Sequence, residues 1–190
     1  TLGTYLGHTP SPISMRQVTG EGGEGGGGGG GEGPCAGISP GTSGTLNGQT
    51  VYCDLHNHLW TPTANIGGSA ITYKWGGYGT DESTNSCIGI ANRPACNYCD
   101  NLTYAGFDDW RLPSCVSGHQ DSNCILYQFG IDACGSYPCT PSWDTNAQTY
   151  IYWSSTEYDS ISALYMYFSS GNIGNEYKDY AYYVRCVRGQ

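Results

Sequence analysis

Positive charge is the scarcest property of this 190-residue chain: Lys and Arg number 7 against 16 Asp and Glu, a formal net charge of -9. A field of that sign repels phosphate backbones and anionic headgroups, which excludes nucleic acid and membrane surfaces as natural partners. Charge of either sign is also short, at 12% of residues, about half the ~25% usual in globular domains. No apolar run approaches the ~18 residues that a membrane-spanning helix requires. No charged-then-apolar leader opens the sequence at Thr1, so the expectation is a mature or trimmed product of an exported protein.

What the chain does have in excess is glycine, tyrosine and cysteine. Glycine fills 30 positions, more than twice the usual share of ~7%. Of the aromatic residues, 17 are Tyr against 5 Trp and 3 Phe. Low charge with abundant Tyr, Ser, Asn and Gly is the composition of antibody combining loops, where Tyr gives large contact area at small entropic cost. Ten cysteines, an even number, point to disulfides and an oxidising compartment.

Three stretches follow one another. Residues 1–19 carry Pro10 and Pro12, which forbid a central helix and predict an extended arm. Residues 20–34 hold a tract in which eleven of the fourteen positions from Gly20 to Gly33 are Gly and three are Glu. Such a tract buries no side chain and is costly to order, so it reads as a linker, the alternative being packed polyglycine in an assembly. Residues 35–190 form the globular part, with strand-like runs at Thr50–Tyr52, Ala70–Trp75, Tyr150–Ser154, Ala163–Phe168 and Tyr180–Val187. A turn is expected at Ser169–Asn172, and helices at Ala95–Gly106 and Cys124–Gly130.

No constellation has the spacing that catalysis needs. Cys96-x-x-Cys99 lacks a second CxxC for zinc and a βαβ frame for redox chemistry, which favours structural disulfides. His56 and His58 would share a strand face, but only Asp54 is near them in sequence, so a polar strand end or loop is the expectation. Asp108/Asp109 and Glu157/Asp159 are pairs in sequence alone, and neighbours on an extended chain point apart. The chain is therefore expected not to be an enzyme.

Several strings together resemble one family: Lys74-Trp-Gly-Gly-Tyr-Gly79, Cys99-Asp-Asn-Leu102, Gly106-Phe-Asp-Asp-Trp-Arg-Leu-Pro113, Tyr152-Trp-Ser-Ser-Thr-Glu-Tyr158, Phe168-Ser-Ser-Gly171 and Tyr183-Val-Arg-Cys-Val-Arg188. In order and spacing they are similar to the Lcl C-terminal domain, found in collagen-like bacterial adhesins. The resemblance implies an α+β, C-type-lectin-like fold with small antiparallel sheets, two helices and long loops. It implies a structural role for Trp110, Arg111, Leu112, Pro113 and Trp153, with Arg111 holding a hydrogen-bond network, and a Cys99–Cys186 disulfide. For the other eight cysteines, local pairings are expected: Cys35–Cys53, Cys87–Cys96, Cys115–Cys124 and Cys134–Cys139.

The same resemblance implies a surface open to diversification by retroelements in the carboxy-terminal segment, where residues 150–190 hold nine of the 17 Tyr. The candidate ligand-binding residues are Tyr158, Asp159, Ser160, Ser162, Tyr165, Tyr167, Asn172, Asn175, Glu176, Tyr177, Tyr180 and Tyr182. The usual sugar-binding tripeptides of calcium-dependent lectins are missing, so no cofactor is expected, with calcium on the 150–180 loops kept as an alternative. The expectation is an extracellular adhesin or receptor-binding module, taking a protein or glycan on another cell or host surface. The alternative is a subunit of a filament, pilus or virion, a homopolymer assembled through the amino-terminal arm.

Overall fold

Asn47-Gly48 is the strongest local turn signal in the chain, and both residues take positive φ (48° and 76°), as a two-residue hairpin turn demands. It joins β1 (Thr42–Leu46) to β2 (Gln49–Cys53). Antiparallel additions of β3 (Leu59–Trp60) and β11 (Val187–Arg188) complete a four-stranded sheet in the order β1-β2-β3-β11. A small pair, β4 (Asn65–Ile66) and β5 (Ser69–Ala70), precedes β6 (Thr72–Lys74). The protein, seen here as a computed structural model, is described over residues 33–66, 68–77, 92–116, 120 and 123–189. The expected arm at 1–19 and nearly all of the linker at 20–34 lie outside these residues.

The second large sheet has the order β6-β10-β7-β8-β9, with β7 (Ile151–Glu157), β8 (Ser162–Tyr167), β9 (Asn172–Tyr177) and β10 (Ala181–Tyr183). Its pairings are antiparallel except β10 with β7. Two helices accompany the sheets: α1 (Pro94–Asp100), which places Pro in its first turn, and α2 (Ile125–Cys134), closed by Gly135 in the left-handed region. The fold is thus α+β, as expected, in an arrangement consistent with a small lectin-like domain.

α1 is shorter than the predicted helix to Gly106. After Asn101 the chain makes a tight turn in which Ala105 (φ 55°) and Gly106 (φ 89°) close a reciprocal Tyr104–Phe107 backbone pair. A side chain on Gly106 would strike Asn47 Nδ2, so this turn sits on the β1–β2 turn, and Asn47 Nδ2 donates to the Ala105 carbonyl at 3.1 Å. β9 stands where only a polar, variable-looking stretch was expected. Asn and Gly have low strand propensity, but full register against β8 from Ser162↔Tyr177 to Tyr167↔Asn172 overrides it.

Two apolar clusters fill the interior. One gathers Trp75, Ala95, Cys99, Trp110, Leu112, Trp153 and Cys186; the other gathers Trp60, Leu126, Phe129, Tyr152, Met166 and Phe168. Disulfides Cys35–Cys53, Cys99–Cys186, Cys115–Cys124 and Cys134–Cys139 are present as expected. Cys96 is also disulfide-bonded, while Cys87 lies outside the described residues. Each bridge contributes about 2–4 kcal/mol by constraining the unfolded chain.

Candidate ligand-binding face

Strand alternation sorts the carboxy-terminal tyrosines onto two faces. Trp153 pairs with Tyr165, Ile151 with Tyr167, and Tyr165 with Gly174, so these residues share one face of the sheet with Asn172 and Glu176. Tyr182, paired with Tyr73, adds β10 and β6 to the same face. The opposite face carries Tyr152, Leu164 and Met166 into the interior. The result is a shelf of rings in edge contact, in which Tyr150 meets Tyr167 at 5.6 Å and Tyr182 at 6.3 Å. Tyr182 continues it to Tyr165 at 6.2 Å and Tyr180 at 6.3 Å; Tyr177, which register places with Asn175 on the other face of β9, joins only at the strand end, where its ring meets Tyr180 at 6.0 Å.

Tyr150 and Tyr180 are each 49% exposed and Tyr177 47%, while Tyr165, Tyr167 and Tyr182 are half-buried. Gly174 makes room for the shelf: a Cβ there would lie 2.7 Å from the Tyr165 hydroxyl oxygen, so this ring lies across β9. Burial, then Glu176 and the neighbouring phenols, push the Tyr182 hydroxyl up to about 12, and the same causes raise Tyr165. The shelf therefore presents neutral phenols beside one carboxylate. Among the described residues, no protein acceptor takes the hydroxyls of Tyr150, Tyr165, Tyr167, Tyr180 or Tyr182.

Several expected members of the site are elsewhere. Ser162 is buried at 5% exposure, and its hydroxyl and N–H, with the N–H of Ile161, donate to Asp159 Oδ1. Asp159 is thereby committed to closing the β7–β8 turn, where Tyr158 (60% exposed) and the half-buried Ser160 also lie. Asn175 is exposed on the opposite face, set there by its pairing with Leu164. Tyr150, which touches both Tyr167 and Tyr182, was missed. It opens the expected run Tyr150–Ser154, one residue before β7 begins, and only its tyrosine-rich setting marked it.

Behind the shelf the charged residues of the recognised strings are structural. Trp110, Leu112, Pro113 and Trp153 are buried, Trp153 Nε1 donating to the Tyr73 carbonyl at 2.9 Å. Arg111 is half-buried and tied to Val187 through its backbone. The network expected of its guanidinium belongs to Arg188, which grips both Asp109 carboxylate oxygens (2.7 and 3.0 Å), because β11 brings Arg188 to that carboxylate. Arg185, fully buried, pairs with Asp144 Oδ2 at 2.5 Å, and Thr63 adds two donors to the same oxygen. Lys178 is also fully buried and pairs with Glu157, with Trp75 beneath its ammonium at 5.1 Å.

Among the described residues, one group has donors close enough for a metal ion: Asp54, His56 and Asp132. Its oxygens are already engaged. Asp54 accepts the N–H groups of His56 and His58 on Oδ1 and the Trp60 indole on Oδ2, while His58 Nδ1 lies 2.8 Å from Oδ2. Burial pushes the Asp54 carboxyl up, but the His58 and Trp60 hydrogen bonds outweigh it and hold it below the usual range. Asp132 Oδ2 accepts the Leu55 N–H and lies 3.0 Å from His56 Nδ1. The group braces the β2–β3 turn.

A disulfide-stapled α+β domain with a half-exposed aromatic face is the class this geometry defines. Residues 49–188 match the profile of the Lcl C-terminal domain, and the chain belongs to that family. A comparison with curated proteins finds no match.

Proposed function

We propose that this chain is an extracellular, non-enzymatic binding module whose tyrosine shelf captures a protein or glycan on another cell or host surface. The observation that carries the reading is the shelf itself: linked rings with free hydroxyls, standing on a frame fixed by disulfides and buried ion pairs. Tyrosine loses little rotamer freedom on binding and offers both apolar area and a polar tip. The family adds support, since its name belongs to collagen-like adhesins, and the disulfides suit a secreted protein. No cofactor enters the reading. In residues 150–180, Asp159 holds its own turn, Glu157 is paired with Lys178, and no carboxylate belongs to a metal-sized cluster of three ligand groups among the described residues, so capture is expected to survive chelation of calcium.

The test displays the full chain on beads and measures adhesion to host-type cells and to a neutral glycan array. Replacing Tyr150, Tyr177 and Tyr180 by Ser is expected to abolish capture with little change in melting temperature. Retained capture by this variant overturns the reading. Diversification of the same surface is part of the proposal and has its own readout. Sibling genes would vary at the exposed positions 150, 158, 177 and 180 and keep Tyr152, Trp153, Met166 and Lys178, which are buried.

A further inference from the structure

The interior shows how this protein completes an aromatic ring with charge. Trp75 lies under the Arg93 guanidinium at 4.3 Å and under the Lys178 ammonium at 5.1 Å, and Glu157 balances both cations. Arg185 sits over Phe129 at 4.6 Å with Asp144 as its counter-ion, and nearer the surface Arg188 lies over Phe107 at 3.8 Å with the exposed Asp109. Each assembly has three parts: a ring, a cation over its face and a carboxylate beside them. On the shelf two of these parts are present. Tyr165 and Tyr182 are the rings, their centroids 6.2 Å apart, and Glu176 is on the same face, two residues along β9 from Gly174, over which the Tyr165 ring lies.

The cation is the missing part, and this chain has little to supply it. The described basic residues are Lys74, Arg93, Arg111, Lys178, Arg185 and Arg188. Arg93, Lys178 and Arg185 are buried, and Arg188 is held by Asp109. Arg111 pairs through its backbone with Val187 of β11, in the other sheet, and Lys74, next to Tyr73 on β6, points to the opposite face by strand alternation. The three buried cations are matched by three buried anions, Asp54, Asp144 and Glu157. The net charge of -9 therefore belongs to the rest of the chain, so the ligand meets a field that attracts cations and repels sulfated or phosphorylated polymers.

We infer that the ligand of the shelf is a basic protein segment that seats an arginine guanidinium over Tyr165 and Tyr182 beside Glu176. This rests on the binding-module reading and narrows its ligand. Glu176 Oε1 accepts the Tyr177 N–H, and among the described residues Oε2 is unengaged and available to a guanidinium N–H. The planar guanidinium suits both contacts, stacking on a ring while donating in its plane. An isolated ammonium would serve less well.

The test uses the full chain and fluorescence anisotropy with three probes: a labelled Gly/Ser peptide containing two arginines, the same peptide with citrulline in their place, and a labelled neutral β-linked glucose oligomer. The arginine peptide is expected to bind at least about fivefold tighter than the citrulline peptide, a margin in the range of an exposed cation–π contact with a carboxylate partner. E176Q is expected to remove that margin. Y165F and Y182F should keep it because the ring face remains, while Y182S should lose it, with circular dichroism confirming that each variant folds. Equal binding of the citrulline peptide overturns the inference, and so does an unchanged margin in E176Q and Y182S. No binding of the arginine peptide overturns it as well. If citrulline peptide or neutral oligomer binds equally well and Y182S abolishes it, the cation is wrong while the tyrosine shelf stands as a binding face.

Discussion

Tyr152 and Tyr165 sit on adjacent strands of one sheet, yet their hydroxyls meet different fates. Tyr152 is fully buried; its oxygen shares a 2.8 Å hydrogen bond with Thr63 Oγ1 and accepts the Gln148 N–H at 2.9 Å. Tyr165 is half-buried, its ring lies over Gly174, and no described residue accepts its hydroxyl. The same contrast holds for charge. Inside, each buried cation lies over an aromatic ring with a carboxylate beside it, whereas the shelf carries rings and a carboxylate alone. A buried polar group left unpaired costs stability, but a half-exposed one is satisfied by water until a ligand replaces it. The frame thus meets its buried cations with its own carboxylates, while the shelf offers a carboxylate and rings without a cation.

The largest effect should come from breaking the frame. Asp144→Ala leaves the Arg185 guanidinium buried without its counter-ion, and removing one partner of a buried pair costs about 3–5 kcal/mol. Urea denaturation of the variant checks this; a loss below about 1 kcal/mol would mean the pair is dispensable and the contrast between interior and shelf is false. Opening the Cys99–Cys186 bridge, which spans 87 positions and ties α1 to the segment before β11, should cost about 2–4 kcal/mol. The C99A/C186A double variant reads that loss without stranding a free thiol.

Acid should act on the frame in the same direction. Burial pushes the Asp144 carboxyl up, but Arg185 and Thr63 outweigh it and hold it below the usual range, as His58 and Trp60 do for Asp54. A carboxylate with a depressed folded value contributes stability that is fully present above the unfolded value of about 3.9 and is lost as pH falls through the folded one. The urea midpoint should therefore be flat above about pH 5 and fall steadily below pH 4. D54N should flatten part of that decline, and a midpoint that rises on acidification would contradict the assignment.

The strings that revealed the family turn out to encode this frame. Glu157 ends the YWSSTE string, Arg185 and Arg188 stand in VRCVR, and Asp109 opens DWRLP; all four make ion pairs. Buried charges tolerate few substitutes, so they leave a readable pattern, and with the cysteines they made fold class and disulfide pairs legible. The shelf was legible only as composition. Tyr165, Tyr167 and Tyr182 followed from strand alternation, but β9 was hidden because its residues have poor strand propensity and its register comes from β8. Asn47-Gly48 announced the first hairpin, a signal that strand-run reading passed over, whereas nothing local foretold positive φ at Ala105. Long-range pairing also decided that Lys178 turns inward to Glu157 while Glu176, two residues before it, stays on the shelf.

Smaller changes on the shelf sharpen the contrast by separating binding from stability. Gly174→Ala would push against the Tyr165 hydroxyl oxygen, 2.7 Å from the new Cβ. Because that atom is the free end of a side chain, the ring can swing away. The cost in folding should stay below about 1 kcal/mol, while capture falls because Tyr165 no longer lies across β9. Thermal melting and adhesion measured on one preparation distinguish this from a frame effect, in which both would fall together.

The smallest stability change is expected from Tyr150→Ser with Tyr180→Ser. Each ring is half exposed, so surface substitutions of this kind should cost within about 0.5 kcal/mol each. Their removal nonetheless takes away the rings flanking Tyr182 on both sides. With less burial and fewer neighbouring phenols, the Tyr182 hydroxyl should titrate closer to the ordinary tyrosine value. Ultraviolet titration of the variant, scaled to its 15 remaining tyrosines (17 less 2), should therefore lose absorbance amplitude near pH 12. If the amplitude stays where it was, burial by the frame alone sets the Tyr182 environment, and the rings are neighbours without forming a common surface.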